Sequence, residues 1–253
     1  MVNKPTDTIA SFAKGLRVIE AFSADAPRLT ITEVAAQTGL DRATARRCLL
    51  TLHHEGYADY DGKFFALTPR VLRLGLAALS SMPLPQVVQP WLDQLSEQIG
   101  HSCSVSILEG DEIVYIARAA QKRLMSIGLM PGSRLPAHCT SMGRVLLAAL
   151  PEAEARTLLE QTDLSPRTPQ SLADIPSLLQ ECARIRHQGY ALVDQEVEPG
   201  LRSLAVPVLN HRDQTIAALN IGTAATSPDQ QEIVRAYLPA LLKVQDSLKR
   251  VLN

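Results

Sequence analysis

The stretch TITEVAAQTGLDRATARRCLL, residues 30–50, admits few folds. Thr30 and Glu33 stand three apart at the start of an apolar run. At that spacing a hydroxyl and a carboxylate satisfy each other's backbone N–H groups at a helix start. Gly39 ends the helix where a positive φ is needed. Asp41 then caps a second helix, in which Ala45, Cys48, Leu49 and Leu52 recur on one face. Val34 and Ala35 face inward, and small Ala35 lets the two helices approach closely. Two short helices joined by a glycine turn form a helix-turn-helix over about residues 31–50. The outward face at the start of the second helix is Arg42, Ala43, Arg46 and Arg47. Guanidiniums suit guanine edges or phosphates, a methyl suits thymine, and Thr44 reaches a phosphate.

An arginine run alone would be only a solvated helix face, so the flanks decide. Residues 11–23 carry Phe12, Leu16, Ile19 and Phe22 in helical rhythm. YADYDGKFFAL, residues 57–67, reads as two short strands around Asp61-Gly62, a type I′ hairpin signal. A hairpin directly after the recognition helix is a wing, and Lys63 at its tip is available to a phosphate. Residues 68–81 (TPRVLRLGLAALSS) read as a helix with Pro69 in its first turn. Its Val71, Leu72, Leu74, Leu76 and Leu79 make it too apolar to stand alone, so it is expected to pack against its counterpart in a second subunit. Met82-Pro83-Leu84-Pro85 stops it. The expected division is a winged helix over 1–67, a linker or dimerisation helix over 68–82, and a larger domain over 83–253.

Composition narrows the class. The 253 residues are 46% hydrophobic and 20% charged, as in a soluble globular protein. A net charge of −1 excludes a wholesale polyanion binder, although residues 1–81 carry a balance of +2 against −3 for the rest. No apolar run approaches the ~20 residues of a membrane span. The N-terminal MVNKPTDTIASF has no secretory apolar region, so a cytoplasmic location is expected. Cys48, Cys103, Cys139 and Cys182 lack C-x-x-C spacing and read as reduced thiols.

From residue 86 the pattern is mixed. Helices are expected over 86–99, 141–149, 152–161, 175–188 and 228–252. Strands are expected over 103–108, 112–119, 124–129, 190–194, 203–209 and 215–222. Hairpins on both sides of a helical insert make an α+β domain with an antiparallel sheet. The Pro-containing loop 163–172 reads as a connector.

Catalysis finds little support. Cys139 to Gly143 reads C-T-S-M-G, one residue away from the G-x-S-x-G nucleophile elbow. It lacks the first glycine, which relieves the strained turn, and no parallel sheet surrounds it. His101, His138, Cys103 and Cys139 do not have zinc-ligand spacing. No phosphate-binding glycine loop is present, and Glu196 and Glu198 lack an acid/base partner. No metal or cofactor is expected. Thr140 or Ser141 does begin a helix, where unpaired N–H groups and a partial positive charge favour an anion. The alternative there is helix capping alone.

Three segments resemble the IclR-type transcriptional regulators: the winged helix with LTITEVAAQTGLDRATARRCLLTL, the loop SRLPAHCTSMGRVLLA, and GYALVDQEVEPGLRSLAVPV. The likeness runs from Ser11 to the C-terminal helix, and its wording is most similar to the branch regulating aromatic-acid catabolism. It implies a winged helix-turn-helix, a linker helix used in dimerisation and a GAF-like antiparallel-sheet sensor over 83–253. It also implies a small organic acid effector, double-stranded operator DNA and assembly as dimers or dimers of dimers, with no membrane partner. By resemblance the effector site falls on Thr140, Ser141, Met142, Asp194, Ser203, Asn220, Ile221 and Gly222. Several family members carry cysteine at the position of Ser203, and serines at those of Asn220 and Gly222. Apolar walls from Leu129, Leu135 and Met142 suit a small acid. The expected pose puts its carboxylate on Ser141 and the N–H groups near Met142 and Gly143, with Asp194 and Asn220 across the pocket. Arg202 reads as a salt bridge to Glu196 or Glu198 rather than a carboxylate clamp. An enzyme with an appended DNA-binding domain, or an architectural DNA binder with an inert partner domain, would be the competing classes.

Overall fold

Capping chemistry sets the N-terminal elements as the sequence requires. The computed structural model describes residues 8–23, 26–74, 83–121, 128–226 and 229–252. They divide into two compact units, 1–78 and 79–253. In the first, α1 (Ala10–Glu20) precedes α2 (Ile31–Thr38) and α3 (Arg42–His54). Thr30 and Glu33 form the reciprocal capping box. Gly39 sits in the left-handed region at φ 66°, and the Asp41 side chain accepts from the Thr44 N–H at 2.9 Å. Val18, Val34, Ala45, Leu49 and Phe65 are fully buried and form the core of this small unit.

The wing is a three-stranded antiparallel sheet of β1 (Arg28–Leu29), β3 (Phe65–Leu67) and β2 (Ala58–Tyr60), in that order. The turn at Asp61-Gly62 is not type I′, because Gly62, at φ 101°, has a positive φ and Asp61 does not. The Asp61 carboxylate instead accepts from the N–H groups of Lys63 and Phe64 at 3.0 and 2.7 Å. Thr68 caps a short 3-10 turn, Pro69–Val71. The remainder of the linker helix expected over 68–82 lies largely outside the described residues.

The second unit is a six-stranded antiparallel sheet between two helical layers. Its strands are β4 (Ser102–Glu109), β5 (Glu112–Ala119), β6 (Arg134–Pro136), β7 (Ala191–Asp194), β8 (Leu201–Leu209) and β9 (Thr215–Ala224). They lie in the order β6-β5-β4-β9-β8-β7. One face packs on α4 (Pro83–Ile99) and α8 (Gln231–Lys249) through Val105, Leu204, Val206, Leu219 and Ile221. The other face carries α5 (Ser141–Ala149), α6 (Glu152–Gln161) and α7 (Ile175–Gln188). Small Ala205 and Ala218 on that face let α5 lie close to the sheet. The fold class is α+β.

One expectation for this unit changes in part. Of the strand expected over 124–129, residues 124–127 lie outside the described residues, and 128–129 have no regular structure. The pairing partner of β5 at that edge is β6, whose Leu135 sits opposite Ile113. Three residues containing a proline give too short a periodic signal to read from sequence.

Gly39 makes the first test. A Cβ there meets no atom within 4 Å, so the cost of Gly39→Ala is conformational. Because its φ is 66°, the substitution should destabilise the N-terminal unit by about 1–2 kcal/mol, measured by thermal unfolding.

Candidate functional site

The N-terminal unit presents a basic face. Arg42, Ala43, Arg46 and Arg47 are exposed on α3, and Thr44 is half-buried. Among the described residues none of these three arginines is in an ion pair. The buried Ala45, Leu49 and Leu52 hold the opposite side of α3 against the core, which leaves the guanidiniums facing outward. Lys63 is exposed at the wing tip, with its ammonium 4.9 Å from the Phe64 ring centroid. Arg28 lies over the same ring and pairs with Asp61. The sequence reading missed Arg28 because only β1 brings it to the wing.

In the second unit a cavity opens between the start of α5 and the sheet. The empty space between these elements, open mouth included, is about 540 Å³. Thr140, Ser141, Met142, Ser203, Asn220 and Gly222 all line it, as do Leu129 and Leu135. The lining also includes Ser102, Tyr115, Arg118, Val197 and Leu201, which the sequence did not indicate. Asp194 and Ile221 do not line it. Strand alternation turns Ile221 into the core beneath α4 and α8. Asp194 is held by Arg202 through two hydrogen bonds of 2.9 and 3.0 Å, and by Gln230 at 2.9 Å. Arg202 thus pairs with Asp194, its cross-strand neighbour, and no ion pair between described residues joins it to Glu196 or Glu198.

The loop before α5 is tightly specified. The Thr140 hydroxyl accepts from the Gly143 N–H at 3.2 Å and donates to the Pro136 carbonyl at 3.0 Å, so this residue is the helix cap. Met142 accepts from the Ser106 hydroxyl at its sulfur, 3.3 Å away. A Cβ on Gly143 would lie 2.2 Å from the Ala137 carbonyl oxygen, so only glycine lets the loop fold back on the helix. Ser141 is different: its buried hydroxyl has no hydrogen-bond partner among the described residues. A buried hydroxyl left unpaired costs free energy, and here it faces a cavity.

A buried ion pair holds the arrangement. Arg144 donates to both carboxylate oxygens of Glu196, at 2.7 and 2.5 Å, and to the His138 carbonyl at 2.9 Å. Glu196 also accepts from the Leu172 N–H at 2.8 Å. Thr168 donates to the Gln195 carbonyl at 2.7 Å, and Ser171 to that of Glu196 at 2.6 Å. Loop 163–172 is thus more than a connector, since it closes over the β7–β8 turn. Gln195, left-handed at φ 61°, turns the chain so that Glu196 points inward.

The chemistry at the loop is that of binding. Burial pushes Cys139 up to about 11 and Cys103 up to about 12, away from the reactive thiolate. These two thiols lie on opposite faces of the sheet. Burial, with the Arg144 charge next, holds His138 below its ordinary value and so neutral. His101 meets the Tyr237 hydroxyl at 2.9 Å. Among the described residues no group of three or more His, Cys, Asp or Glu could hold a metal ion. Nor is any helix long and apolar enough to cross a membrane.

A winged helix-turn-helix joined to a cavity-bearing α+β domain defines a DNA-binding transcriptional regulator. The IclR helix-turn-helix domain matches residues 11–62, and the bacterial transcriptional regulator IclR C-terminal domain matches residues 76–250. The chain belongs to the IclR family of transcriptional regulators and is not an enzyme. A Pca regulon regulatory protein of Pseudomonas putida is 45% identical over 243 residues, 96% of this chain and 84% of that protein. A transcriptional regulator from Rhodococcus superposes with a TM-score of 0.81 at 42% identity, over 97% of this chain and 98% of the other. A double mutant of the PobR inducer-binding domain from Acinetobacter, solved with 3-hydroxybenzoic acid, matches 68% of this chain and all of its own. Its identity is 33% and its TM-score 0.63.

The buried pair makes the second test. Glu196→Leu strands the Arg144 charge and should cost about 3–5 kcal/mol, measured by urea unfolding. Adding Arg144→Met should recover part of that loss, because the uncompensated charge goes with it.

Proposed function

We propose that this regulator senses a small aromatic or keto acid and controls a catabolic operon in response. The observation that carries the reading is the buried Ser141 hydroxyl, unpartnered and facing a cavity. A ligand that enters there satisfies it, and the apolar Leu129, Leu135, Met142 and Val197 take up the rest of a flat molecule. The relatives support the ligand class. One is named for the Pca regulon, and another, solved as an inducer-binding domain, holds 3-hydroxybenzoic acid. Thr140, Ser141, Met142, Ser203, Asn220 and Gly222 form the contact set. Asp194 and Ile221 support it from behind the cavity wall.

The output is operator DNA in the cytoplasm. Arg42, Ala43, Arg46 and Arg47 enter the major groove, and Thr44 and Lys63 meet phosphates beside it. The expected domain division, 1–67, 68–82 and 83–253, gives the linker helix the role of joining subunits in a dimer or a dimer of dimers. A dimeric reader calls for a near-palindromic site with half-sites about 34–36 Å apart, or a multiple.

Two measurements test this reading. Arg46→Ala or Arg47→Ala should fold normally and weaken operator binding by about 1–3 kcal/mol in a mobility-shift titration. Wild-type affinity in both would remove α3 from the groove. Ser141→Ala should weaken binding of an aromatic acid by about 1–3 kcal/mol in calorimetry, while effector-free DNA affinity stays unchanged. Unchanged acid affinity would reduce this serine to a packing residue.

A further inference from the structure

A bulge in β5 decides which face of the sheet carries Arg118. Ser106 pairs with Tyr115 and Val105 with Ala117, so Ile116 is the extra residue. Ile116 and Ala117 both turn into the core beneath α4 and α8. The alternation is thereby shifted by one, and Arg118 emerges opposite Ser104 on the cavity face. Without the bulge that guanidinium would point into an apolar layer, where a charge is strongly disfavoured.

On the cavity face Arg118 donates through Nη1 to the Ser104 hydroxyl at 2.8 Å. Among the described residues it has no ion-pair partner. Among the described residues the cavity lining contains no Asp or Glu. Around the guanidinium stand uncharged polar groups: Ser104 and Asn220 share its cross-strand row, and Ser102 and Ser203 flank Gly222 in the next. Tyr115, on the same face, stays a protonated phenol because burial pushes it up to about 12. At the start of α5 the described lining residues, Thr140, Ser141 and Met142, are uncharged and stand at a helix terminus. Its Gly143 N–H is already taken by Thr140. A helix end presents about half a charge, whereas a guanidinium presents a full one and a bidentate fork.

We propose that Arg118 binds the effector's carboxylate, which reverses the pose suggested by the helix terminus and turns the ligand's opposite end toward Ser141. The inference rests on the reading that this cavity receives a small aromatic acid. It selects a rigid acid with its anionic group at one end and a hydrogen-bonding group at the other. The ring lies between Leu135, Met142, Val197 and Leu201.

The test is calorimetry on the full chain. The probes are benzoate, 3-hydroxybenzoate, 4-hydroxybenzoate and 3,4-dihydroxybenzoate, each beside its neutral amide. The wild type should prefer an acid over its amide by about 10- to 150-fold, the range of a charge-assisted contact. Arg118→Gln should bind the two about equally, and Arg118→Lys should keep part of the preference. Thermal melts of each variant report folding. If Arg118→Gln does not fold, Arg118→Lys decides: weaker acid binding at unchanged amide binding supports the clamp. An acid affinity in either folded variant equal to wild type overturns the inference and leaves the cavity reading standing. A wild type that binds none of the probes overturns both.

Discussion

The second unit depends on one buried ion pair. Arg144 rises from α5 and Glu196 from the β7–β8 turn, and both side chains are almost wholly buried, at 3% and 8% exposure. Bringing two charges out of water is costly, and geometry together with extra hydrogen bonds must offset it. Here both conditions hold. The fork is bidentate, Arg144 finds a further acceptor in the His138 carbonyl, and Glu196 a further donor in Leu172. The pair therefore joins three segments far apart in sequence: the loop before α5, the β7–β8 turn and loop 163–172. Together they brace the loop that enters α5, whose Thr140, Ser141 and Met142 line the cavity against the sheet.

That clasp leaves Ser141 free to face the cavity. Thr140 caps α5, Gly143 admits the loop's return and Met142 is fixed by Ser106, so the neighbouring hydroxyls and backbone are occupied. The floor is shaped by sheet chemistry. Alternation puts Val105, Leu219 and Ile221 under α4 and α8 and turns Ser102, Ser203 and Asn220 toward the cavity. In the N-terminal unit the same economy serves a different end. Caps and a left-handed glycine fix the angle between α2 and α3, and the buried stripe of α3 leaves its arginines outward.

Legibility followed how local each signal was. The helix-turn-helix was readable because Thr30, Glu33, Gly39 and Asp41 act within four residues of their partners. Strand β5 and helices α5, α6 and α7 have the expected boundaries, since each pairs a clear period with a clear stop. The site was harder. Ile221 was expected in it through its neighbours Asn220 and Gly222, yet alternation sends it the other way. Arg118 was hidden by a bulge that no local pattern announces. Glu196 and Arg202 were legible as ion-pair residues, but partner choice is set by strand register and by a left-handed Gln195. Long-range pairing of this kind cannot be counted off a single strand.

The central claim is that the cavity under the Arg144–Glu196 clasp is where the effector sits. A crystal structure of the full chain with an aromatic acid that it binds in solution tests this most directly. The account predicts the ring enclosed by Leu135, Met142, Val197 and Leu201, with the ion pair intact above it. An acid found elsewhere on the chain, with this cavity empty, would contradict it.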